Sequence, residues 1–74
     1  MYGETRRDTR EFIGARIRRF REAQGLSIRE LSNLSDIPEL MLATIERGRM
    51  RITFENMICI ARSLDVPLAE FFGD

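Results

Sequence analysis

Ser27 to Gly48 reads SIRELSNLSDIPELMLATIERG, and this stretch decides the fold. Ser27 and Glu30 stand at the spacing of a capping box, in which the hydroxyl takes the Glu30 amide and the carboxylate takes the Ser27 amide. Leu31 and Leu34 give the helix that follows one apolar stripe, and Ser32 is small, as a close helix crossing needs. Ser35-Asp36-Ile37 breaks that helix, and Pro38 suits the first turn of the next. Leu42 and Ile45 form its inner face, and Gly48 ends it. Residues 28–47 therefore read as two short helices around a tight turn.

The flanks follow the same pattern. Asp8, three residues ahead of Glu11, can cap a helix of about 15 residues. Ile13, Ile17 and Phe20 recur at helical spacing with Phe12 alongside, while Arg16, Arg18 and Arg19 take the other faces. Gly25 suits a left-handed cap at its end. Residues 1–7 have little to bury and read as a flexible N-terminal arm ahead of a domain spanning residues 8–74. Thr53 can cap a fourth helix with apolar positions Phe54, Met57, Ile58, Ala61 and Leu64. Pro67 opens a short final helix carrying Leu68, Phe71 and Phe72. With no strand-like alternation and no internal repeat, the expected fold is all-α, a compact domain of five helices.

Composition narrows the chemistry. A chain of 74 residues is one domain that buries roughly 60% of its unfolded surface. At 43% hydrophobic and 32% charged residues it is globular rather than disordered. The longest apolar run, Met57 to Ala61, is too short to span a membrane, and the charged N-terminus lacks the apolar stretch of a secretory signal. A cytoplasmic protein is the expectation. With no histidine and only Cys59, Ser-His, Cys-His and zinc-cluster chemistry are excluded together. Neither paired catalytic carboxylates nor a Gly-rich phosphate loop is present, so an enzyme is not expected and no cofactor, metal or small-molecule ligand is implied. Cys59 reads as a packing residue, and Met41, Met50 and Met57 as gap fillers.

The formal charge is zero, yet it is an average over unlike segments. All 12 cations are Arg and none is Lys, which suits phosphate binding. Residues 1–21 carry seven Arg against three acids, and residues 22–46 one Arg against five. Residues 47–51 carry three Arg and no acid, and residues 52–74 one Arg against four acids.

Over about residues 12–72 the chain resembles the phage-repressor (Cro/repressor, XRE) helix-turn-helix family. The resemblance rests on Ile17-Arg18-Arg19-Phe20-Arg21, Gly25-Leu26-Ser27, Glu30-Leu31, Ile45-Glu46-Arg47-Gly48, then Ala61, Leu64 and Val66. It implies that residues 28–47 are the helix-turn-helix and that the second helix enters a major groove. It also implies a buried structural ion pair between Arg21 and Glu46, against the alternative that Arg21 meets a phosphate. Arg47, Arg49 and Arg51 fall in the loop where family members grip the DNA backbone, although a solvated basic loop is the plainer reading. The amides at Ser27 offer a second phosphate site.

The recognition helix departs from the family. Members usually open the first helix of the motif with a Gln that holds a phosphate, and Ile28 stands there. The exposed positions resemble Pro38, Glu39, Leu40, Met41, Ala43 and Thr44. Base reading would rest on Glu39 accepting from a cytosine amine and on Leu40, Ala43 and the Thr44 methyl meeting thymine methyls. In family members of this size the last helices commonly form a two-fold interface, which here would carry Leu68, Phe71 and Phe72, with burial in the core as the alternative.

Two functions follow from the resemblance. One is a homodimeric transcriptional regulator, of repressor type, that binds double-stranded DNA at a pseudo-palindromic operator. The other is an antitoxin-like or adaptor module that has lost base reading and binds a protein partner through Ile28, Leu40 and Met41.

Overall fold

A computed structural model describes the backbone of residues 2–73 and the side chains of residues 9–73. The chain forms helices α1 (Tyr2–Ala23), α2 (Ile28–Ser35), α3 (Glu39–Glu46) and α4 (Phe54–Leu64), then a 3₁₀ helix, Leu68–Phe71. The described residues contain no strand, in keeping with the all-α expectation; the fifth helix is a single 3₁₀ turn.

Local signals set most of these boundaries. Ser27 accepts from the Glu30 amide at 3.0 Å while its own amide donates to Glu30 Oε1 at 2.8 Å, completing the capping box of α2. Thr53 caps α4 by accepting from the Asn56 amide at 3.0 Å. Asp36, with φ 61, turns the chain between α2 and α3, and Pro38 is the N-cap of α3. The beginning of α1 differs from expectation. The helix starts at Tyr2, so it takes in residues 2–7 of the expected arm and Asp8 lies inside it; the Asp8 side chain is outside the described residues. Residues 2–23 contain no proline and seven Arg, so no residue in the stretch forces a helix to begin at Asp8.

The core joins all five elements through Ile13, Ile17, Leu31, Leu42, Ile60, Leu64 and Phe71 among others. Helix α1 packs on α3, and α2 packs on α4. Gly14 permits the first crossing: a Cβ there would stand 2.3 Å from the Ile45 carbonyl oxygen. Gly48 serves two needs, because its φ is +73° and a Cβ would meet Glu11 Cα at 2.7 Å.

Three apolar positions lie elsewhere than the pattern implies. Leu34 is exposed, since the rotation of 100° per residue puts Ser35 closer to Leu31's inward direction on a helix this short. Ser35 is buried and donates its hydroxyl to the Leu31 carbonyl. Phe54, on the first turn of α4, is exposed; the inward stripe is Met57, Ile60, Ala61 and Leu64, with Ile60 fully buried. Phe71 is fully buried and faces the Phe20 ring at 6.2 Å between centroids.

Candidate nucleic-acid interface

Helix α3 is held from behind. Leu42 and Ile45 enter the core, and Glu46 at its last turn meets Arg21 of α1. Arg21 Nε donates to Glu46 Oε2 at 2.7 Å and Nη2 to Oε1 at 3.0 Å, a two-pronged geometry with both side chains nearly sealed from water. Arg21 Nη1 also donates to the Leu26 carbonyl at 2.7 Å, tying the loop before α2 into the same centre. Hydrogen bonding to Glu46 holds the Arg21 guanidinium pKa above its already high ordinary value, against the opposing effect of burial. This side chain is therefore committed to the fold and is not available to a phosphate.

The opposite face of α3 is open. Leu40 is 77% exposed, Ala43 and Thr44 are half-buried, and the Thr44 hydroxyl donates to the Leu40 carbonyl at 2.8 Å. Glu39 is exposed at the helix start, and Arg29 of α2 donates to its Oε2 at 3.2 Å. The acid at the start of α3 thus carries its own counter-charge. No short sequence motif marks Arg29, because its partner lies ten residues away across the turn.

The loop after α3 displays its arginines by alternation. Met50 and Ile52 pack against the core, and Arg49 and Arg51 between them are exposed, as is Arg47 at the end of α3. The Arg49 amide donates to the Thr44 carbonyl at 3.1 Å and the Gly48 amide to Ile45 at 2.9 Å, which fixes the loop to the helix end. No ion pair among the described residues engages Arg47, Arg49 or Arg51. The alternation Arg49-Met50-Arg51-Ile52 was the available sequence signal for this display.

The remaining predicted residues scatter. The hydroxyl and amide of Ser27 are both engaged by Glu30, leaving the Ile28 and Arg29 amides as the free donors at that helix end. Ile28 and Met41 pack against the core, and Met41 Sδ lies 3.7 Å from Asn56 Nδ2. Both are half-buried, so they are less open to solvent than Leu40. At the C-terminus Phe71 serves the core instead of a surface, whereas Phe72 is exposed and Leu68 half-buried. Leu68 borders a crevice with Ile58 and Val66.

Residues 17–71 match the family model HTH_3, described as helix-turn-helix. The uncharacterized HTH-type transcriptional regulator y4dL of Sinorhizobium fredii is 38% identical over 58 residues. That match takes in 78% of this chain but 30% of the relative, so the chain spans under a third of that protein's length. Among solved structures, the restriction-modification controller protein C.AhdI from Aeromonas hydrophila superposes with a TM-score of 0.82 at 34% identity, covering 88% of this chain and 97% of its own. The clp gene regulator ClgR from Corynebacterium glutamicum gives 0.83 at 31% identity, covering 86% and 68%. An HTH_3 family transcriptional regulator from Vibrio cholerae gives 0.86 at 27%, covering 90% and 38%. These relatives are named as regulators, and residues 17–71, which hold α2, the Asp36 turn and α3, match the helix-turn-helix model: the chain belongs to the helix-turn-helix family.

Proposed function

We propose that the protein is a transcriptional regulator of repressor type that binds double-stranded DNA as a homodimer, with α3 of each protomer in a major groove. The observation that carries this reading is the joined surface of α3 and its following loop: an outward helix face flanked by three exposed arginines that make no ion pair among the described residues. Arg47, Arg49 and Arg51 hold the DNA backbone, and Glu39, Leu40, Ala43 and Thr44 meet base edges. Two half-sites about 34 Å apart would make the operator pseudo-palindromic. The second protomer docks on the C-terminal face that carries Ile58, Val66, Leu68 and Phe72. The names of the relatives, gene regulators and a restriction-modification controller, support the same reading. Work in the cytoplasm follows from the role; no helix of the described chain is long and apolar enough to cross a membrane.

The test is a titration against the DNA upstream of the protein's own gene at several salt concentrations. The expected result is a steep negative slope of log affinity on log salt, with footprints on two half-sites one helical turn apart. A flat salt response overturns DNA binding through phosphates. The adaptor reading lacks comparable support, since Ile28 and Met41 are partly covered by core packing and only Leu40 of the three is exposed.

A further inference from the structure

Between α1, the loop after α3 and the start of α4 lies a cavity of about 280 Å³. Ile13, Ile45 and Met57 form part of its lining from three different helices, and Met50 and Ile52 line it from the loop. It is more enclosed than the crevices beside Leu34 and beside Val66. Two arginines join this apolar lining, Arg10 from α1 and Arg51 from the basic loop. The Arg10 Nε is buried with no acceptor among the described residues, and Arg51 makes no ion pair there.

We infer that this cavity binds a small carboxylate with an apolar body, its carboxylate held by Arg10 and Arg51. A buried N–H without an acceptor is an unfavourable state that an anionic oxygen relieves. Guanidiniums stay charged at any working pH, so the complement must be an acceptor and preferably an anion. The lining selects the rest of the molecule. A free phosphate or a nucleotide would leave five apolar side chains unmatched, whereas an alkyl or aryl body buries against them. Size sets the upper limit. A cavity of 150 Å³ holds benzene, so this one takes a body of roughly ten to twelve non-hydrogen atoms.

The site bears on regulation, and that part rests on the phosphate-clamp reading above. Arg51 belongs both to the cavity lining and to the proposed clamp, so a carboxylate that engages it withdraws one cation from the DNA backbone. Binding itself does not depend on that reading.

Octanoate is a suitable probe, titrated into the intact protein and followed by calorimetry and amide NMR shifts, with octan-1-ol as the uncharged control. Saturable octanoate binding is expected, with shifts centred on Ile13, Ile45, Met50 and Ile52 and at least about tenfold weaker binding of octan-1-ol. Arg51→Gln and Arg10→Gln each remove that preference, with circular dichroism melting used to check the fold. Arg47→Gln, on the same loop but off the cavity, keeps it. Absence of saturable binding, equal binding of octan-1-ol, or unchanged preference in Arg51→Gln overturns the site. In a second arm, saturating octanoate lowers the salt slope of DNA binding by about 0.9, one phosphate contact. Octanoate bound with an unchanged slope leaves the cavity standing and removes Arg51 from the clamp.

Discussion

Two Arg–Glu pairs lie at the two ends of α3, and they differ in nearly everything but chemistry. Arg21 and Glu46 meet at 2.7 and 3.0 Å behind the helix, with side-chain exposures of 11% and 4%. Arg29 and Glu39 meet at 3.2 Å at its front edge, with exposures of 78% and 50%. The first pair is closed off from water that could replace a lost partner; the second is open to solvent. Burial makes the first a fixture of the fold. Exposure makes the second adjustable at the surface where DNA is proposed to bind.

The comparison breaks most visibly when Arg21 is removed. Arg21→Ala leaves the Glu46 carboxylate buried without its partner and frees the Leu26 carbonyl as well. A loss of about 3–5 kcal/mol is expected, read as a large fall in the midpoint of urea unfolding. Replacing both, as Arg21→Met with Glu46→Leu, should recover most of that loss, because neither buried charge remains. If the double variant is as unstable as the single one, the stranded-charge account fails. Alkaline pH provides a separate check. The Arg21 pKa is raised in the fold, so its contribution is fully present below the unfolded value and is lost only as pH rises through the folded one. That window lies beyond the alkaline range in which proteins are ordinarily studied, so thermal melts between neutral pH and mild alkali should show no loss from this pair.

Legibility in the sequence follows the same division between local and distant causes. The Ser27–Glu30 capping box, the Thr53 cap and the turns at Gly25 and Gly48 depend on residues a few positions apart, and all are where the spacing places them. Leu34 and Phe54 stay outside the core because apolar character alone does not say which direction of a short helix meets a neighbour. Phe71 could not be assigned from its own segment, since its partner is Phe20, fifty-one positions earlier. The Arg21–Glu46 pair lies twenty-five positions apart and was legible only through the family resemblance. Arg29–Glu39 and the cavity depend on three-dimensional juxtaposition that no short motif encodes.

The basic loop sharpens the contrast from the DNA side. Arg49 and Arg51 are exposed and unpaired among the described residues, so replacing both by Ala should leave unfolding midpoints nearly unchanged, within about 0.5 kcal/mol. Their proposed work is with phosphate. The salt slope of DNA binding should therefore fall by about 1.8, two contacts at about 0.9 each. An unchanged slope in the double variant would remove the clamp from the mechanism.

Arg29→Ala is the mildest change and the one that tests whether an exposed pair has a use. Stability should fall by no more than about 0.2–1 kcal/mol, because both groups are solvated before and after. DNA binding should respond differently. Removing Arg29 uncovers the Glu39 charge at the front of α3, so affinity should drop, most steeply at low salt where exposed charges are least screened. Glu39→Gln in the same background removes the repulsion and should restore affinity, while any preference for cytosine that Glu39 provides is lost. Comparing the two variants on operators that differ at one base pair separates charge compensation from base reading. Restored affinity with preserved base preference would show that Glu39 supplies no base contact, and that Arg29 is there to neutralise a residue with no role in reading.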